Sequence, residues 1–179
     1  MANPVSTRRL GFRALWLALA MAMMLALLLP LHPGPGRIPA PDVLLMMTFA
    51  WVLRRPDYVP VGAIAAIFLL ADFLFMRPPG LWAALVVVAT EYLRAREPGW
   101  RDNPFLLEWG IVSAVTVALT LTNTIALAVF FVDRPGLGLM LLHLAITIAS
   151  YPLVVLLTAT FFGLKKSAPG EVDQLGHRQ

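Results

Sequence analysis

Few side chains in this 179-residue sequence are equipped for chemistry. Asp72 is the acid set well inside an apolar run, three residues before that run ends. A carboxylate so placed must be paired, solvated or put to use. A ligand contact is one use. A proton relay is another, but relays need several acids in file. Arg77 follows five residues later, so an Asp72–Arg77 pair fixing the next turn is the expected arrangement. Asp42 comes directly after Pro41 at the head of another apolar run. There a carboxylate accepts from free N–H groups and meets the positive end of the helix dipole. Glu91 and Glu108 lie near Arg94, Arg96 and Arg101, and read as interfacial ion pairs rather than an acid–base dyad. Asn123 is expected to hydrogen-bond across to another helix, for about 0.6–2 kcal/mol. The histidines stand at 32, 143 and 177, too scattered for a metal site, and His143 reads as a satisfied bundle residue. No Gly-x-Ser-x-Gly, His-Glu-x-x-His or Walker loop is present. With no cysteine either, the expectation is no catalytic set, no metal and no cofactor.

The elements that hold these residues follow from composition. Hydrophobic residues make up 59% of the chain and charged ones 13%, against about 25% charged in a soluble domain. A polar shell cannot be built from so few charges, which points to a membrane protein and excludes a soluble enzyme. Apolar stretches at 14–31, 40–53, 59–75, 80–93, 106–132 and 138–164 predict an all-α polytopic protein with six transmembrane helices in one domain, 1–164. A polar tail follows at 165–179. Because about 20 helical residues cross the hydrocarbon core, the second and fourth stretches are short and the last two are long. Most prolines punctuate the stretches, whereas Pro152 lies inside the sixth and predicts a kink there.

Charge fixes the orientation. Eleven of the 14 Lys and Arg residues fall in the N-terminal tail, the second and fourth loops and the C-terminal tail; Arg37, Arg77 and Arg134 fall on the other side. By the positive-inside rule both termini are cytoplasmic. A re-entrant hairpin of the second and third stretches would bury Arg54 and Arg55 at several kcal/mol and is rejected. The first stretch is too long for a signal-peptide core and no good cleavage site follows it, so it is read as a span. The net charge of +4 is thus topogenic, with no nucleic-acid partner implied.

Ala14, Ala18, Ala22 and Ala26 recur four apart in the first span, as do Ala114, Ala118, Thr122 and Ala126 in the fifth. Such faces let backbones approach closely in lipid. Packing inside the bundle is the expectation, and docking of a partner's transmembrane helix is the alternative. Trp51, Tyr58, Trp82, Tyr92, Trp100 and Trp109 fall near the proposed interfaces, as an aromatic belt would. Arg54 and Arg55, held ahead of Pro56, read as a rigid basic turn facing anionic lipid or an acidic partner.

Taken in order, Pro41-Asp42, Trp51, Arg54-Arg55-Pro56, Asp72, and then Arg77-Pro78-Pro79-Gly80-Leu81 carry a likeness. The stretch from about 41 to 94 resembles the rod shape-determining protein MreD family, in which a Pro-Asp helix opening precedes an Arg-Arg-Pro cytoplasmic turn. An Asp-led helix end and a Pro-Leu-Gly-like outer turn follow. Two departures stand in that outer turn: Met76 where many members have Gly, and Pro79 where Leu is common. The resemblance implies a non-enzymatic scaffold of the bacterial inner membrane that supports lateral wall synthesis. It implies MreC as direct partner, MreB and the RodA/penicillin-binding-protein synthase in the wider complex, and a fold similar to the substrate-binding subunits of energy-coupling-factor transporters. A homodimer and contacts with membrane lipids are further expectations. A vitamin-binding transporter subunit is the alternative from the transport class.

Overall fold

A computed structural model describes residues 4–29, 39–100, 104–130 and 136–163, the side chains of 4–6, 98 and 100 excepted. The tail at 165–179 and the loop residues Arg37, Arg101 and Arg134 lie outside the described residues. The described chain is all-helical, with no strand. Its helices are α1 (Pro4–Leu28), α2 (Val43–Arg54), α3 (Val61–Leu74), α4 (Leu81–Trp100), α5 (Phe105–Val129) and α6 (Leu137–Phe162), with a 3-10 turn at Pro56–Tyr58. Each overlaps one of the six apolar stretches.

The boundaries differ where polarity and helicity part company. α1 begins ten residues ahead of its apolar stretch, opening on Pro4, whose missing N–H is unneeded at a first helical position. α4 runs on to Trp100, past the expected end at 93, because Glu91, Arg94, Arg96 and Glu97 are good helix formers although they are polar. Pro152 sits inside an uninterrupted α6.

α2 is the axis of the bundle. All of its residues from Leu44 to Arg54 are buried, and it packs chiefly on α6 and α4, with α1 alongside. At 12 residues it extends about 18 Å. A helix wrapped by protein has no lipid thickness to match, and being apolar all round is what burial on every side requires. α3 packs on α4, α4 on α5, and α5 on α6. α1, α5 and α6 contain the segments Thr7–Leu28, Phe105–Val129 and Leu137–Phe162, each long and apolar enough to cross a membrane, and only 17% of the most apolar window of each is buried inside the bundle. Apolar side chains turned outward over such lengths suit lipid as the surrounding solvent.

Candidate functional site

The resemblance-bearing residues gather into two knots at opposite ends of the bundle. At one end, Arg54 closes α2, and its guanidinium turns inward to Glu108 on α5 at 2.9 Å, the two side chains 6% and 5% exposed. Tyr151 of α6 donates to the same Glu108 oxygen at 2.6 Å, so three helices meet on one carboxylate. Arg54 also donates to the carbonyl of Ala50 at 3.3 Å. This corrects one expectation, since Arg54 is not a surface cation, and it gives Glu108 a partner from α2 that lies far from it in sequence. The pairing removes the penalty that a lone buried arginine would carry. Arg55 is half-buried and stays at the boundary.

The 3-10 turn that follows is clasped by arginines from other helices. A single 3-10 turn leaves acceptor capacity on its carbonyls, that of Pro56 accepting only from the Val59 N–H along the backbone, at 3.3 Å. Arg94 of α4 donates to the carbonyls of Pro56 and Val59 at 2.9 and 2.7 Å, and Arg13 of α1 to that of Asp57 at 3.0 Å. Arg9 pairs with the Asp57 carboxylate at 3.3 Å, and Phe12 stacks on Tyr58 with ring centroids 4.6 Å apart. Glu91 pairs with Arg94, as expected for neighbours three apart. Positive residues counted as topogenic charge therefore also fasten a turn.

At the other end, Asp42 caps α2 as expected, accepting from the Leu45 N–H at 3.0 Å, while its own N–H donates to Thr147 Oγ1 on α6 at 3.1 Å. Asp72 is fully buried, and its Oδ2 accepts from the N–H groups of Gly80 and Ala83 at 3.0 and 3.2 Å. A residue of α3 thus caps α4 across the turn. No Asp72–Arg77 ion pair forms: the Arg77 N–H donates to the Asp72 carbonyl, and the guanidinium lies over the rings of Phe75 and Trp82. Pro78, Pro79 and Gly80 shape the turn, Gly80 at φ 86° and Met76 also left-handed at φ 54°. Pro78 and Leu81 are half-buried.

Neither family model, curated protein nor solved structure matches the chain.

The small-residue stripes point the other way from the expected one. Ala14, Ala18, Ala22 and Ala26 are all exposed, and α1 packs instead through Trp16, Ala20 and Met24, two positions around the helix. Ala114, Ala118 and Thr122 are exposed and Ala126 half-buried, while Glu108, Val112, Thr116 and Leu119 form the inward face of α5. Large side chains bury more surface per position, so the bundle takes the bulky faces and leaves the small ones outside. The spacing Phe12, Trp16, Ala20, Met24 was legible as a competing stripe.

The aromatic belt is likewise revised. Trp51 is fully buried between Phe12 and Phe162, and Tyr58 is buried too. The side chain of Trp100 lies outside the described residues. Asn123 is half-buried and makes no side-chain hydrogen bond to a described residue. Four of the five α5 hydroxyls bond along their own helix: Ser113, Thr116, Thr120 and Thr124 each donate to the carbonyl four residues back, at 2.7–2.9 Å. His143 is half-buried and lines a cavity of about 270 Å³ beside Asp42 and Arg77.

Proposed function

We propose that the chain is a membrane scaffold of the MreD kind, with six spans, both termini cytoplasmic, seated in the bacterial inner membrane and holding MreC by its transmembrane helix. The observation that carries this reading is the outward direction of the two small-residue faces, on α1 and on α5. Small residues on a lipid-facing surface lose little by leaving lipid and let a partner helix come close enough for dispersion contacts. The polar residues behind the resemblance support it from within. Asp42, Arg54 and Asp72 each fasten a helix end. A bundle so fastened presents fixed outer faces, which is what a scaffold needs.

Contacts support the six-span count as well. Arg9 near the start of α1, Arg54 at the end of α2, Arg94 in α4, Glu108 near the start of α5 and Phe162 at the end of α6 all gather around the 3-10 turn and the last turn of α2. The helices therefore alternate in direction, and the Arg-rich end is the cytoplasmic one by charge. The vitamin-transporter alternative, and with it the likeness to energy-coupling-factor subunits, draws less support. The cavity beside His143 offers polar side chains only from Asp42, Arg77, Trp82 and His143, a thin set for a water-soluble vitamin.

Co-expression of the tagged protein with an MreC-like single-span protein tests the reading. Detergent extracts are expected to carry the partner, and Ala18→Leu with Ala22→Leu, or Ala114→Leu with Ala118→Leu, is expected to release it without lowering the melting temperature. Extracts that never carry the partner would leave the proposal without its basis.

A further inference from the structure

The ends of five helices converge on the cavity at the Arg77 end of the bundle. Leu27 of α1, Leu44 of α2 and Phe68 of α3 supply apolar wall, while Asp42, Arg77 and His143 supply polar groups. Its volume is about 270 Å³, near the lower end of the range for small-molecule sites. That is the scale of a head group rather than of a whole amphiphile.

Three features of the lining specify the guest. First, the Arg77 guanidinium is oriented by two aromatic rings, at 5.5 Å from the Phe75 centroid and 5.8 Å from that of Trp82, yet makes no ion pair or side-chain hydrogen bond among the described residues. A planar donor fork held in place and left open is suited to a phosphate. Second, Asp42 uses one carboxylate oxygen, Oδ1, for its cap, and no described donor reaches the other. Third, the indole Nε1 of Trp82, another lining residue, is buried without a hydrogen-bond partner, and His143 brings a ring N–H in either protonation state. Asp72 acts on Arg77 through space without an ion pair, so among the described lining residues the Arg77 guanidinium and the second Asp42 oxygen keep room for a ligand that carries both charges.

We propose that this cavity holds the head group of a zwitterionic phospholipid from the adjoining leaflet, its phosphate against Arg77 and its ammonium against Asp42. Leu27 is 50% exposed at the rim, so the acyl chains would run down the outside of α1 among the other lipids. The inference rests on the bundle spanning a membrane and not on any protein partner, so loss of MreC binding would leave it standing.

The test uses the purified full-length protein in detergent. Its melting temperature is followed against short-chain phosphatidylethanolamine, phosphatidylglycerol, phosphatidylcholine and inorganic phosphate. Phosphatidylethanolamine is expected to stabilise at the lowest concentration, and Arg77→Gln to weaken it by about tenfold or more, the worth of one charge-assisted contact. Ala40→Trp, at an exposed lining position, should fill the mouth and abolish the response while the lipid-free melting temperature is kept. Equal stabilisation by phosphatidylglycerol would overturn the zwitterion, and equal stabilisation by phosphate the lipid. An unchanged response in both variants would overturn the site.

Discussion

The indole Nε1 of Trp109 on α5 donates to the carbonyl of Ile148 on α6, 3.0 Å away. That carbonyl would accept from the N–H of residue 152 in an unbroken helix, and residue 152 is proline. One helix thus repairs the hydrogen-bond gap in its neighbour, and the proline fixes which turn of α6 the tryptophan docks on.

Trp109→Phe keeps an aromatic ring, smaller than the indole, and removes the donor, leaving a half-buried carbonyl without a partner. The expected loss is about 1–3 kcal/mol, read as a lower melting temperature in detergent. In a Pro152→Ala background the backbone supplies its own donor, so the same substitution should then lose less, only the packing share of the indole. Equal losses in both backgrounds would show that the indole acts through packing alone.

The buried Arg54–Glu108 pair gives a second cycle. Arg54→Met or Glu108→Leu alone strands a charge in the core and is expected to destabilise by about 3–5 kcal/mol. The two together should recover most of the loss, since an apolar pair of similar volume is tolerated there. Tyr151→Phe, which removes only the hydroxyl contact to Glu108, should lie between, at about 1–3 kcal/mol. The burial of Arg54 also means that charge reversal probes the surface only at Arg55; Arg54→Glu would act by unfolding.

Asp72→Ala uncaps α4 and leaves the Gly80 and Ala83 N–H groups without their acceptor. About 1 kcal/mol is the expected effect of a lost cap, rising toward 2 kcal/mol in a dry site. Hydrogen exchange should be faster in the first turn of α4 and unchanged in α5. Asp72→Asn, which keeps an acceptor oxygen, should restore most of the protection. Fast exchange spread over the whole bundle would contradict a local cap.

Met76 offers a gain. It is 92% exposed with φ 54°, a region that charges a side-chain-bearing residue about 1–2 kcal/mol. Met76→Gly relieves that strain, offset in part by the entropy of the freer unfolded chain. A melting temperature raised by a few degrees is expected; a drop would mean that the methionine side chain makes a contact of its own.

Local interactions were legible in the sequence. Asp42 caps α2 because the acceptor and the N–H of Leu45 are three residues apart, a distance that the helix itself fixes. The six helices and the depth of Asp72 follow from apolar run length, since lipid and chain geometry leave little choice. Asp72 shows where this reach ends: Arg77 is the nearest cation in sequence, yet the first N–H groups of α4 lie where the carboxylate points. Arg54 and Glu108 stand 54 residues apart, and no spacing rule joins them.

What the sequence determined by itself is a chain of apolar helices, punctuated by proline and biased in charge, because hydropathy and helix ends are properties of neighbouring residues. Which way each helix turns was settled by packing between helices. Spacing of four tells that Ala14, Ala18, Ala22 and Ala26 share a face, but Trp16 and Met24 form a rival face on the same helix. The choice between them belongs to the surface they pack against. Bulky side chains gain more from close packing than alanines do, so the first face was left to the membrane and whatever docks there.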